Sequence, residues 1–388
     1  MTMPFKAQTS SSAASSTASY AAATGLVSID LKQIGQNWAN LQALVGPAQC
    51  GAVVKADAYG LGADKVIPAL VRAGCKTFFI ATPSEAEETR ARAPNAVIYA
   101  LDGLVSGAER DFARLGVRPI LSTFAQVEAW DNYSRSKRQR LPAGLHIDTG
   151  LNRLGLGARD ARRLAGDETL RASLDLTLVM SHLACADNPA DGKNRDQLLA
   201  FETLSALFPG VPRSLAASDG LMLGKPYHFD LVRPGYALYG GQASQSNPAP
   251  VTPVVTVTAA ILSFSDVAPG ETVGYSATWR ANRPSRIATV AAGYADGVPR
   301  SASAPDGRPA AQVRIAGVLC PIVGRVSMDL ITVDVTDLGH RLEQVSHATL
   351  IGPGLTIEDA GYAAGTIGYE ILTRLGRRFE RVYLDDGA

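Results

Sequence analysis

The sequence has few cysteines, no long hydrophobic run and no excess of charge of either sign. Its four cysteines among 388 residues are widely separated and form no C-x-x-C pair. This spacing argues against a zinc site or a disulfide framework and favours reduced thiols in a cytoplasmic protein. No apolar stretch approaches the roughly 20 residues that span a bilayer. Lys and Arg total 37 against 36 Asp and Glu, so we expect a small-molecule partner and neither nucleic acid nor a membrane.

The chain is long enough for two domains preceded by a short tail. Residues 1–26 are rich in Ala, Ser and Thr and lack the continuous apolar core of a signal peptide, which predicts a disordered tail. Hydrophobic residues make up 46% of the chain, so the remainder can bury a sizeable core. Its length favours two domains over one.

From residue 50 onward, short apolar β-branched runs alternate with amphipathic stretches, a pattern typical of βα units and a parallel sheet. Helices are predicted at 63–73, 84–92, 125–136 and 196–207. Strands are predicted at 52–56, 77–81, 96–100, 118–122, 144–148, 176–182, 213–217 and 231–236. These eight strand–helix repeats predict a closed (β/α)8 barrel of the TIM type over residues 27–245.

The composition and periodicity of the sequence change after the glycine pair at 240–241. A segment rich in Ser, Asn and Pro follows at 242–253, and beyond it helical periodicity is weak until the last 35 residues. Strands are predicted at 254–262, 286–292, 312–316 and 330–335. We therefore predict an α/β plus β protein, in which residues 246–388 form a mainly β C-terminal domain.

Lys55 follows an apolar run at the predicted end of the first barrel strand. Polar residues at this end of a barrel strand are typical of active sites, because the loops there form the mouth of the barrel. Burial disfavours an ammonium ion and makes the amine available as a nucleophile. An isolated lysine at a strand end is more often a solvated surface residue. Here it opens the segment KADAYGLG at 55–62, which resembles the pyridoxal-phosphate attachment segment of alanine racemases.

The resemblance to alanine racemases extends from residue 26 to residue 384 and implies roles for several barrel residues. In HIDTGLNRLG at 146–155, Arg153 is expected to contact the substrate carboxylate and the catalytic tyrosine. In SHLA at 181–184, His182 is expected to stack on the pyridine ring without transferring protons, and in LVRPGY at 231–236, Arg233 faces the pyridine nitrogen. The residues expected to bind the cofactor phosphate are Tyr59, Ser218, Gly235, Tyr236 and Tyr369.

The resemblance also implies that the β domain completes the active site. Tyr275, in GYSAT at 274–278, matches the second catalytic base, which would act on the face of the substrate opposite Lys55. Tyr294 is expected to line the access channel, and Met328 to offer its backbone to the substrate carboxylate. In this family the second base and the methionine come from the other subunit. A homodimer with shared active sites is therefore expected.

One position departs from the family pattern close to the site. Several members have a lysine, seven residues before the arginine, that becomes carbamylated and orients that arginine, and here the position is His146. A carbamate cannot form there, so either another anion such as chloride fills the place or His146 and Asp148 hold Arg153 by themselves. Ser327 and Ala217 are milder departures.

The resemblance implies an enzyme that interconverts L-alanine and D-alanine on pyridoxal phosphate, for peptidoglycan synthesis or for alanine catabolism. One alternative is another enzyme on the same barrel, an amino-acid decarboxylase or a broad-specificity racemase. A decarboxylase needs no second base of the Tyr275 kind, and broad-specificity racemases usually carry a signal peptide. A second alternative is a non-catalytic pyridoxal-phosphate-binding protein, but such proteins resemble the barrel alone.

Overall fold

The computed structural model describes residues 23–242, 244, 246–303 and 310–385. Most of the tail predicted over residues 1–26 therefore lies outside the described residues, and residues 25 and 26 already belong to a strand. Within the described ranges, none of the helices combines the length and the apolar character needed to cross a membrane. A cytoplasmic location stays a prediction.

The first part of the chain alternates strands and helices. In chain order these are β1 (Gly25–Asp30), α1 (Leu31–Val45), β2 (Gln49–Cys50), β3 (Ala52–Val53), α2 (Lys55–Gly60), α3 (Ala63–Ala73), β4 (Thr77–Ile80), α4 (Ala86–Arg92), β5 (Val97–Ala100), α5 (Glu109–Leu115), β6 (Val117–Leu121), α6 (Phe124–Ser136), β7 (Pro142–His146), α7 (Ala158–Gly166), α8 (Glu168–Ser173), β8 (Asp175–Met180), α9 (Gly192–Ser205), β9 (Arg213–Ser214) and β10 (Leu231–Val232).

The parallel strands of this part close into a barrel. Strands β3 to β9 pair in sequence order, and β10 pairs in parallel with β2. The gap between β9 and β10 is bridged by the Arg233 N–H, which donates to the Ala216 carbonyl at 2.9 Å. Since β2 and β3 are two halves of one strand interrupted at Gly51, the barrel has eight strands. The predicted TIM-type barrel is confirmed, and each predicted strand overlaps an observed one.

Burial explains why these segments form a barrel surrounded by helices. All four residues of β4 are buried, as expected of a parallel strand covered on both faces. Helix α3 buries Val66, Ile67 and Leu70 on one face, which matches the 3.6-residue period of an amphipathic helix. It ends at Ala73 and is followed by Gly74, whose φ of 109° is the left-handed conformation common after a helix.

The second part of the chain is mainly β, as predicted. Its elements are β11 (Val255–Val267), β12 (Thr272–Val273), β13 (Trp279–Arg280), β14 (Ser285–Val290), β15 (Gln312–Ile315), β16 (Val318–Val323), β17 (Ile331–Asp334), β18 (His347–Ile351), α10 (Ile357–Ala364), α11 (Gly368–Thr373) and β19 (Glu380–Leu384). Strands β14, β17, β16, β15, β18 and β11 pair in that order, and β11 also pairs with β14. The antiparallel sheet is therefore closed. Short 3-10 helices also occur, at Pro83–Glu85, Asp219–Leu223, Lys225–Tyr227, Tyr236–Tyr239, Tyr275–Ala277, Tyr294–Asp296, Arg300–Ser303 and Thr336–Gln344.

The strand β1 belongs to the second sheet, although it lies in the range predicted for the barrel. It pairs antiparallel with β11 and parallel with β19. Val27 and Ile29 are fully buried, while the residues that alternate with them, Leu26, Ser28 and Asp30, are partly exposed. This pattern fits a strand with one covered face. Because the pairing joins segments more than 200 residues apart, local sequence patterns could not reveal it. The division of the chain at residues 245 and 246 stays a prediction.

Candidate active site

Lys55 lies at the carboxyl end of the first barrel strand and begins α2, whose backbone forms a left-handed turn and not a regular α-helix. The strand ends at Val53, so the prediction that it extends to residue 56 is wrong. The four residues after Lys55, Ala56 to Tyr59, have φ angles between 51° and 59°. For residues with a Cβ this conformation costs about 1–2 kcal/mol each. Strain of this kind persists only where the surrounding structure holds it, and it is commonly found at functional sites.

A buried guanidinium lies across the barrel mouth, on the residue that follows β10. Arg233 is buried, and its Nη2 donates to the carbonyls of Ser181 at 2.7 Å and Leu215 at 3.2 Å. Its Nη1 donates to the Ser214 hydroxyl. Burial lowers the pKa of Arg233 to about 9, so the group remains mainly protonated at neutral pH. These bonds hold a rigid cation that can only donate hydrogen bonds.

Two histidines share the barrel mouth with Arg233 and are neutral. Burial is the largest cause that lowers the pKa of His182 to about 3, and the nearby Arg233, Arg153, His146 and Lys55 act in the same direction. Burial and then the Arg233 charge lower the pKa of His146 to about 4. Lys55, Arg153 and Arg233 all lie close enough to lower the pKa of His182, so the structure brings these four residues together.

The His146 imidazole carries an unpaired polar atom inside this cluster. Its Nδ1 is buried and has no hydrogen-bond partner within the described residues. The loop after β7 returns to the same place, since the Leu156 N–H donates to the His146 carbonyl at 2.8 Å. Asp148 turns that loop by accepting from the backbone N–H of Gly150 at 2.9 Å and of Asn152 at 3.1 Å. This loop places Arg153 at the barrel mouth, where its side chain is exposed.

The residues predicted to bind phosphate form a second cluster beside Lys55, made of backbone N–H groups and hydroxyls. The buried Ser218 hydroxyl accepts from the N–H of Gly235 and from that of Ala237, both at 3.1 Å. A Cβ on Gly235 would lie 2.2 Å from the Tyr59 hydroxyl, so only glycine fits there. Burial raises the pKa of Tyr59, whose phenol therefore stays protonated. Donors of this kind suit an anion.

Tyr236, shortly after the last barrel strand, and Tyr369, from the second part of the chain, complete this donor cluster. Their rings stack with centroids 3.8 Å apart, although Tyr369 lies on α11 and more than 130 residues further along the chain. The Tyr236 hydroxyl donates to Glu358 at 2.8 Å, and the Tyr369 hydroxyl to Asp219 at 3.4 Å. The predicted phosphate-binding residues therefore meet at one end of the barrel mouth.

Sequence reasoning missed several side chains that hold the two clusters. Tyr239 donates to the Val53 carbonyl at 3.0 Å, and its ring packs 4.9 Å from that of Tyr59. Gln197 is fully buried and donates to the His182 carbonyl at 2.9 Å. Neither residue stands in a recognisable motif. The only available signal was their place in the helical segments that follow barrel strands.

The three residues predicted from the second domain do not join the barrel mouth of the same chain. Tyr275, Met328 and Tyr294 are 71%, 53% and 41% exposed, and within the described residues none of their side chains hydrogen-bonds to the Lys55 cluster. Their loops adjoin one another. The Ala295 N–H donates to the Met328 carbonyl at 3.0 Å, and a Cβ on Gly274, which precedes Tyr275, would lie 3.2 Å from the backbone nitrogen of Arg325. They form one exposed face of the second domain.

Comparison with known proteins identifies relatives along almost the whole chain. Residues 29–243 match the alanine racemase N-terminal domain and residues 254–383 the alanine racemase C-terminal domain. The chain is similar to an alanine racemase of Methylobacterium sp. (strain 4-46), with 48% identity over 92% of this chain and 97% of the relative.

Two solved structures agree with the fold. One is an alanine racemase from Bartonella henselae with covalently bound pyridoxal phosphate, with 39% identity, a TM-score of 0.88 and coverage of 93% of this chain and 100% of that chain. The other is a biosynthetic alanine racemase from Pseudomonas aeruginosa, with 34% identity, a TM-score of 0.86 and coverage of 93% and 99%. The chain that carries these two clusters belongs to the alanine racemase family.

Proposed function

We propose that the protein is an alanine racemase, which interconverts L-alanine and D-alanine with pyridoxal phosphate attached to Lys55. The observation that carries this proposal is the meeting of an amine, a buried guanidinium and an anion-binding donor cluster in one barrel mouth. The Bartonella henselae relative, which is described with covalently bound pyridoxal phosphate, supports the choice of cofactor.

The residues of the barrel mouth fit this cofactor part by part. Ser218, the backbone of Gly235 and Tyr236, and the phenols of Tyr59 and Tyr369 would bind its phosphate, and the neutral His182 ring would support its pyridine face. The cation of Arg233 has no acceptor, so it would donate to the ring nitrogen and disfavour its protonation. When bound, pyridoxal phosphate withdraws electrons from the amino acid and so acidifies its α-hydrogen.

Racemisation needs a base on each face of the substrate, and we assign these roles to Lys55 and to the partner subunit's Tyr275. In one direction Lys55 removes the α-proton and the tyrosine delivers another to the opposite face, and in the other direction the roles are exchanged. A phenol is a poor base unless a cation stabilises its phenolate. Arg153, exposed at the mouth, can do this and can also bind the substrate carboxylate.

The exposure of the second domain's face supports the proposal of a homodimer with shared sites. Tyr275 and Met328 are large apolar side chains, yet they are 71% and 53% exposed. Such patches are typical of protein interfaces. In a two-fold dimer this face would cover the partner's barrel mouth, where Tyr275 acts as base, the Met328 backbone meets the substrate carboxylate and Tyr294 lines the access channel.

Mixing two inactive variants tests the shared site directly. Lys55→Ala and Tyr275→Phe are each expected to be inactive as homodimers. After subunit exchange at equal concentrations, half of the dimers are mixed and each contains one intact site, so about a quarter of wild-type activity should return. If both bases came from one chain, no activity would return, and the dimer proposal would be wrong.

A chiral assay tests the reaction itself. Purified protein is incubated with L-alanine, L-serine and L-lysine separately, and the D-enantiomers are measured by chiral chromatography. Fast formation of D-alanine alone supports the proposal. Comparable turnover of serine or lysine would indicate a broad-specificity racemase, and a yellow protein without racemisation would indicate a pyridoxal-phosphate-binding protein. D-alanine dependence of a deletion strain would distinguish peptidoglycan synthesis from catabolism.

A further inference from the structure

The left-handed turn after Lys55 is tied to the neighbouring barrel strand by one side chain. Glu85 lies in the short 3-10 helix that follows β4. Its Oε1 accepts from the Ala56 N–H at 2.6 Å, and its Oε2 accepts from the Ala81 N–H at 2.7 Å. One carboxylate thus joins the turn that begins at Lys55 to the end of the adjacent strand.

The bond to Ala56 acts on the peptide unit directly attached to Lys55. Holding this N–H fixes the plane of the peptide that leaves Lys55, and thereby the direction from which its side chain starts. The backbone preferences of its residues do not stabilise the left-handed turn, because its four left-handed residues include no glycine. Asp57 helps at the far end, where its Oδ1 accepts from the Ala63 N–H at 2.7 Å, but that bond lies a full turn away from the lysine.

A carboxylate is the group that this geometry requires. Glu85 also accepts from the Thr82 N–H at 3.3 Å, the bond expected of its place in a capping box. Its two shorter bonds go instead to Ala56 and Ala81. Two separate acceptor oxygens are needed to receive these donors. An amide has only one, and would present its NH2 group to the other N–H.

We propose that Glu85 is a positioning residue for Lys55, which sets the direction of the amine by bridging the left-handed turn to the end of β4. The proposal rests on the proposed function in that Lys55 is the cofactor-bearing base. A misdirected amine should attach pyridoxal phosphate more slowly and should also transfer the α-proton more slowly, whereas steps that depend on the partner subunit's Tyr275 should be unaffected.

The first measurement is the rate at which added pyridoxal phosphate attaches to Lys55 in cofactor-free protein, followed by absorbance and confirmed by mass after borohydride reduction. Glu85→Gln should slow attachment by about tenfold or more, because one charge-assisted hydrogen bond is lost. The matched control is Glu87→Gln, two residues later on the same segment, where the carboxylate is exposed and pairs with Arg114. It should attach the cofactor at the wild-type rate.

The second measurement is the α-deuterium isotope effect on racemisation in each direction. Glu85→Gln should raise it in the direction in which Lys55 removes the deuteron and lower it in the other, because only one of the two proton transfers is slowed. A merely structural defect would not produce this asymmetry. If Glu85→Gln does not fold by circular dichroism, Glu85→Asp is used, which keeps the charge but is one methylene too short to reach both donors.

Attachment at the control rate, or isotope effects that do not differ from wild type in either direction, would overturn the role of Glu85. The attachment rate is measurable even if wild-type protein does not racemise alanine. Failure of the proposed function is therefore distinguishable from failure of this inference.

Discussion

Two neutral histidines in the barrel mouth should make the folded protein sensitive to acid. The pKa of His146 is lowered from its ordinary 6.5 to about 4, and that of His182 from 6.5 to about 3. The unfolded chain therefore binds protons first as the pH falls. The stability that these histidines contribute is fully present above about pH 6.5 and is lost as the pH falls towards the folded values.

The size of the effect follows from these values. In the pH range where a histidine is protonated in the unfolded chain but not in the folded protein, each unit of pH decrease should lower the unfolding free energy by about 1.4 kcal/mol per histidine. Integrated from pH 8 to pH 5, this amounts to about 2 kcal/mol for each histidine and about 4 kcal/mol for both.

The assay is urea unfolding of cofactor-free protein at constant concentration between pH 8 and pH 5. Wild type is compared with His146→Asn, which removes one titrating group, and with His340→Asn, whose histidine is exposed. Wild type should lose about 2 kcal/mol more than His146→Asn over this range, while His340→Asn should follow wild type. A difference between wild type and His146→Asn that does not change with pH would refute the reasoning.

Three further substitutions test other parts of the site. Ser218→Ala should lower the unfolding free energy by about 2 kcal/mol or more in urea, because two buried N–H groups lose their acceptor; unchanged stability would contradict this. Ala56→Gly should be neutral or stabilising by up to about 1 kcal/mol, whereas Ala129→Gly in the right-handed α6 should cost about 1 kcal/mol. Equal losses in calorimetry would argue against the left-handed turn. Arg378→Gln should lower both melting temperature and activity, because Arg378 donates two 2.8 Å bonds to the buried carboxylate of Asp296, which lies in the same short 3-10 helix as Tyr294. Unchanged activity would show that this contact does not position the loop.

Local sequence patterns were sufficient to predict the barrel. Short apolar runs separated by amphipathic helices are enough to identify parallel strands, since each strand is covered on both faces. The eight strands were therefore recovered, and helix α3 has the predicted bounds of residues 63 and 73. The motifs that resemble alanine racemases marked the strand ends at which Lys55, His182 and Arg233 meet.

Contacts between segments that are distant along the chain could not be predicted from local sequence patterns. The strand β1 pairs with β11 and β19 rather than with the barrel. Similarly, only packing brings Tyr369 against Tyr236. Periodicity reports which face of an element is buried, but not which element covers it.

The chemistry of the candidate site could largely be predicted from the residue types, because an amine, a guanidinium and two phenols keep their reactivity in any fold. The protonation states of the side chains and the directions in which they point could not be predicted. The low pKa of His182 arises from burial and from charges carried by distant segments of the chain. The left-handed turn at Ala56 to Tyr59 runs against the preference of its two alanines and its tyrosine, and the carboxylate of Glu85, almost 30 positions later, holds it. The left-handed conformation costs only about 1–2 kcal/mol per residue, so contacts formed by the folded chain could override this preference.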